Sequence, residues 1–115
     1  MSASPIDRAT YDTLAETTGA DFVRELVATF LQEAPAMLAE LRSALAAGDA
    51  ERFRRIAHSL KSNSNTFGAL TLGGMARELE HGGIAKVAAG GSQSLDDLDQ
   101  EYARAAAALE ALRHA

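Results

Sequence analysis

The chain has 115 residues, enough for one domain that buries on the order of 65% of its unfolded surface. Hydrophobic residues make up 47% but aromatics only 5%, and the absence of cysteine excludes disulfide frameworks and thiolate metal sites. A net charge of −5 argues against a general nucleic-acid binder, and no apolar run approaches the ~18 residues that span a bilayer.

Residues 1–5 read as a frayed tail on a single domain covering 1–115. The N-terminus lacks the charged-then-apolar pattern of a secretory signal, so the expected setting is cytoplasmic. A short helix is predicted from Ile6 or Asp7 to about Thr17, with Ile6, Tyr11 and Leu14 as its apolar contacts. Gly19 punctuates it. Asp21 is the expected N-cap of a long second helix, Phe22 to Ala47, with Phe22, Leu26, Phe30, Met37, Leu38, Leu41 and Leu45 on its apolar side. Pro35 inside that helix predicts a bend or a local loss of hydrogen bonding.

Gly48 and Asp49 read as a stop and a fresh N-cap, a link short enough to require an antiparallel hairpin. The third helix follows to Phe67 or Gly68, buried through Phe53, Ile56, Ala57, Leu60 and Phe67. A fourth, Leu70 to His81, buries Leu72, Met75, Ala76 and Leu79. Its Gly73–Gly74 pair invites close approach of a neighbour, and Gly82–Gly83 end it. Residues 84–93 read as a mobile connection. The last helix opens with Ser94 as N-cap and Asp97 three residues on, and carries Leu95, Leu98, Tyr102, Ala105, Leu109 and Leu112. No period-two strand pattern occurs. The expected fold class is all-α, an antiparallel four-helix bundle with a short additional N-terminal helix.

His58 is the residue that packing does not explain. At about 100° per residue it points roughly 160° from the centre of the third helix's apolar stripe. Three and four positions away on that wet face lie Arg54, Arg55, Lys61 and Ser62, with Asn65 one turn further. An imidazole ringed by cationic and small polar groups suits a phosphoryl carrier.

The run Ala57-His58-Ser59-Leu60-Lys61-Ser62-Asn63-Ser64-Asn65-Thr66-Phe67-Gly68-Ala69 resembles the signature of histidine-containing phosphotransfer (HPt) domains. The histidine, leucine, lysine, small Ser64, Phe67, Gly68 and Ala69 fall in register. Downstream, Leu72, Leu79 and Glu80 sit where the family has a leucine and a Leu-Glu pair. Upstream, Phe30, Glu33-Ala34-Pro35, Leu41, Ala44, Leu45 and Gly48-Asp49 look like its second helix. One departure is Ser62, where the family has glycine; it bears on partner fit more than on chemistry.

The resemblance implies a relay in which a receiver's aspartyl phosphate donates to His58 and a second receiver takes the group on. It implies Lys61 as the phosphoryl contact and Glu80 as acceptor from the other imidazole nitrogen, with Arg54, Arg55, Ser62 and Asn65 facing the partner. A small apolar patch is expected near the histidine. The implied partners are receiver domains and a histidine or hybrid kinase. No cofactor or metal is expected on this chain; Mg2+ would come with the receiver. The polar outer faces and the resemblance favour a monomer, and the ends of the chain suit a freestanding shuttle or an excised domain equally.

Other chemistries find little footing. There is no His-x-x-x-His pairing and no Gly-x-x-x-x-Gly-Lys loop. His81 and His114 sit at a helix end and near the terminus. Two rivals remain at this level: a helical adaptor that binds receivers without transfer, and a purely structural oligomer.

Overall fold

The structure, a computed structural model, describes residues 4–90 and 93–114. Among these residues there are five helices and no strand: α1 (Arg8–Thr18), α2 (Ala20–Ala47), α3 (Ala50–Thr66), α4 (Leu70–Gly90) and α5 (Gln93–Arg113). α2 packs on α3, α3 on α4, α4 on α5, and α5 returns to α2, while α1 lies against α2 and α3. No helix among the described residues is long and apolar enough to cross a membrane.

Most boundaries follow from local chemistry. Asp7 caps α1, accepting the Thr10 N–H at 3.2 Å. Of the expected tail, residues 1–3 lie outside the described residues. Ser4 accepts the Ile6 N–H on its hydroxyl at 3.3 Å, and Ile6 is buried. Gly48, in the left-handed region at φ 69°, closes α2, and Asp49 opens α3 by accepting the Arg52 N–H at 3.2 Å. At the far end of α3, Gly68 turns the chain at φ 84°, and its neighbour's N–H reaches back from Ala69 to the Ser64 carbonyl at 2.8 Å.

The start of α2 differs from the expectation. Gly19 is the cap, and the Val23 N–H already bonds to its carbonyl at 3.0 Å. Asp21 therefore lies inside the first turn, where it pairs with Arg24 at 3.1 Å. The buried face is correspondingly Val23, Val27, Phe30, Ala34, Leu41 and Ala44. Phe22, one residue and about 100° away from Val23, is 51% exposed. Leu26, Met37, Leu38 and Leu45 flank the core rather than fill it.

α2 runs unbroken through Pro35, and the lost hydrogen bond is made good from another helix. Proline has no N–H to give the Leu31 carbonyl four residues back. The Tyr102 hydroxyl on α5 faces that carbonyl at 3.5 Å. Burial pushes the Tyr102 phenol up, which keeps it a donor. The same ring packs edge-on to Phe30 at 6.2 Å, and Phe30 meets Phe67 at 5.4 Å, so one aromatic cluster joins α2, α5 and the end of α3. Nearby charge adds a second tie, Arg42 of α2 donating to Asp96 at 2.8 Å and Asp99 at 2.7 Å on α5.

Two further corrections concern the C-terminal half. Residues 84–90 are helical rather than a loose connection. The chain breaks only at Gly83 (φ 67°, ψ −169°) and resumes as helix, with Val87 buried and Ile84 packed on the core. Residues 91 and 92 of that expected connection lie outside the described ones. Ser94 is not an N-cap: α5 already includes Gln93, whose side chain donates to Asp97 at 2.7 Å.

Among the described residues, the buried polar ones are Ser64 and Glu101. The Ser64 hydroxyl is fully buried in α3 without a hydrogen-bond partner. Removing it relieves a desolvation cost and improves helix propensity. Ser64→Ala is expected to raise the urea midpoint, by the equivalent of about 0.5–1 kcal/mol.

Candidate functional site

His58 sits mid-way along α3 with 57% of its side chain exposed, as the apolar periodicity requires. Its Nδ1 lies 2.7 Å from Glu80 Oε2 on α4. The other carboxylate oxygen, Oε1, accepts from Lys61 Nζ, also at 2.7 Å. One carboxylate thus joins the histidine and the lysine that lie one turn apart on α3.

Charge settles the direction of the histidine bond. The Lys61 hydrogen bond does most to hold the Glu80 carboxyl below its ordinary 4.5; partial burial opposes it, and the His58 bond assists. An ionised carboxylate only accepts, so Nδ1 donates. In the neutral ring Nε2 then carries the free lone pair.

The same shift has a consequence for pH. A carboxyl depressed on folding stabilises the folded state above 4.5, and that contribution is lost as pH falls below 4.5 through the folded-state value. A carboxyl-carbon NMR titration should place the Glu80 midpoint below 4.5, and Lys61→Ala should move it upward.

Arg54, Arg55, His58, Ser59 and Glu80 line an open hollow of about 390 Å³ beside the ring. Ser59 was not singled out from the sequence. The available signal was its place one residue after His58 and four after Arg55, on the polar half of α3. Arg54, Arg55 and Ser62 are exposed. Ser62 lies on the outer face without lining the hollow. Asn65 lays its amide against Gly73 of α4, so closely that a Cβ on Gly73 would stand 2.7 Å from Asn65 Cγ.

The apolar patch expected near the histidine has no large exposed side chain behind it. Among the described residues, the exposed large hydrophobic ones are Phe22 and Leu70, and neither lines the hollow around His58. A smaller hollow between α2 and α3, lined by Met37, Glu40, Arg55, Ile56 and Ser59, shares Arg55 and Ser59 with it.

Glu80 is the one carboxylate lining the histidine's hollow, and its two oxygens are taken by Lys61 and His58. Among the described residues, no group of three or more His, Asp or Glu side chains is placed to hold a metal ion.

No curated protein and no solved structure matches the chain. The model of the Hpt domain family matches residues 25–115, a span that contains α3, α4, α5 and most of α2. The family's business is histidine phosphotransfer in phosphorelays, in company with receiver domains and kinases. An all-helical bundle matched over most of its length, with an exposed histidine on α3, belongs to the Hpt domain family.

Proposed function

We propose that this chain is a phosphorelay intermediate in which His58 accepts a phosphoryl group from a receiver's aspartyl phosphate and hands it to a second receiver. The single observation that supports this most is an exposed imidazole whose Nδ1 is engaged by Glu80 at 2.7 Å, which leaves Nε2 as the nucleophile. The supporting scaffold is read as an antiparallel four-helix bundle of α2 to α5, with α1 laid alongside.

In the proposed step the Nε2 lone pair attacks phosphorus in line. The P–N bond forms as the bond from phosphorus to the aspartyl oxygen breaks, and the aspartate leaves as a carboxylate. Nδ1 keeps its proton throughout, and the positive charge gained by the ring faces Glu80. Phosphoryl transfer asks mainly for positioning and charge stabilisation, which is why so few groups suffice. Lys61 has three ammonium protons, so it can hold Glu80 and still reach a phosphoryl oxygen. Arg54, Arg55 and Ser62 face the incoming domain, the two cations complementing an acidic receiver pocket. The divalent cation is assigned to that pocket, because the one carboxylate in the His58 hollow, Glu80, is already engaged by Lys61 and His58 and the remaining ionisable groups there are basic.

The test is incubation with a radiolabelled, phosphorylated receiver. Label should appear on the chain as an acid-labile phosphoramidate, and phosphorus–proton NMR should place it on Nε2. Binding without label would instead make the chain an adaptor, and label on Nδ1 would overturn the role given to Glu80.

A further inference from the structure

We propose that Asn65 and Gly73 form a size-matched spacer in the α3/α4 seam that holds Glu80 against His58, making both of them positioning residues for the transfer. This rests on the relay reading above. The two contacts are related along the same seam. His58 and Asn65 are seven residues apart on α3, and their partners Glu80 and Gly73 are seven apart on α4 in the opposite sense. Seven residues are about two helical turns, so both pairs recur on the same pair of facing stripes. One register therefore sets both contacts, and whatever fixes it at Asn65 fixes it at His58.

Gly73 is buried inside a helix, where glycine is less favourable than alanine. Its use is the slot it leaves. The amide of Asn65, a residue otherwise exposed to solvent, fills that slot, and a Cβ at position 73 would meet its Oδ1 and Cγ. An added methyl therefore either turns the amide out or pushes α4 away from α3, and the spacer requires the second. The adjacent Gly74 has nothing within 4 Å of such a Cβ, so the close approach belongs to Gly73 alone of the pair. Glu80 carries the chemistry but cannot choose its own distance from His58; with Lys61 and His58 both bonded to it, a small shift of α4 past α3 lengthens one bond or both.

The experiment compares Gly73→Ala, Asn65→Ala and the double variant. Nitrogen NMR of His58 reads the ring tautomer without any phosphoryl donor, and a receiver assay reads transfer. Gly73→Ala should lower the fraction of the Nδ1–H form and slow transfer by about tenfold or more. Adding Asn65→Ala should restore both. Should Gly73→Ala fold poorly, Asn65→Ala alone serves, since emptying the slot should loosen the tautomer preference in a folded chain. A Gly73→Ala ring that keeps its tautomer and rate, or a double variant without rescue, overturns the spacer. Failure of every variant and of wild type to take label would count against the relay instead, and the tautomer comparison would still decide the spacer.

Discussion

Gly68→Ala is expected to destabilise the fold by about 3 kcal/mol or more, lowering the melting temperature by roughly 10–15 °C. Two penalties coincide there. The residue sits at φ 84°, where an L side chain costs about 1–2 kcal/mol. A Cβ would also lie 2.6 Å from the Asp7 carbonyl oxygen and 3.2 Å from Thr10 Cβ. Neither obstacle is the loose end of a side chain. The Gly68 carbonyl accepts the Asp7 N–H at 2.7 Å, so this turn also anchors the start of α1. Gly48→Ala is the internal control. Gly48 has φ 69° but nothing within 4 Å of an added Cβ, so it should lose only the conformational part, about 1 kcal/mol. Thermal melts of the two variants separate backbone strain from the clash with Asp7. Equal losses would mean that α1 gives way freely and that the α3–α4 turn does not hold it.

The contrast between these glycines bears on what a sequence can disclose. The Gly48-Asp49 junction was legible because both halves act locally: a left-handed residue ends one helix and a carboxylate caps the next. The exposure of His58 was legible too, since the 3.6-residue period around Phe53, Ala57 and Leu60 fixes where each neighbour points. Position 22 was misread because Phe22 and Val23 are both apolar, and one step of helix rotation separates core from solvent. The core selects the stripe through Val23, Val27, Phe30, Ala34 and Leu41, which puts the β-branched residue inside. The stretch after Gly83 was misread for the opposite reason. Its glycine and alanine content gives weak local preference, and the helix there is held by the burial of Val87, a tertiary fact. The same limit applies to the site. No local pattern links His58 to Glu80 across 22 positions; the family resemblance pointed to the pair, and helix packing brings it together. Asn65 reads as a polar residue on the wet face, and it is exposed; that its amide also lies against Gly73 of α4 is a tertiary fact.

Replacing His58 by glutamine is expected to abolish phosphoryl acceptance while leaving the fold almost unchanged. The side chain is mostly exposed, and a glutamine amide can still donate to Glu80, so the stability change should stay within about 0.5 kcal/mol. The loss of label should be complete, because an amide nitrogen has no free lone pair with which to attack phosphorus. Glu80→Gln provides the sharper contrast. Its amide can donate to Nδ1 where the carboxylate only accepts, which favours the tautomer with the proton on Nε2 and removes the nucleophilic lone pair. Transfer should then slow by about a hundredfold rather than vanish, since the other tautomer remains accessible. Lys61→Ala should behave differently again: it leaves the carboxylate on Nδ1, and so the ring tautomer, but removes the cation that holds the other oxygen and reaches the phosphoryl group. Transfer should slow while the ring nitrogen signals keep the wild-type tautomer. Nitrogen NMR of the ring and single-turnover transfer from a phosphorylated receiver check all three on the same samples. Label persisting in His58→Gln would move the acceptor to another residue. A Glu80→Gln chain that transfers at the wild-type rate would mean that the imidazole needs no partner to present its Nε2, and the bond between α3 and α4 would be structural only.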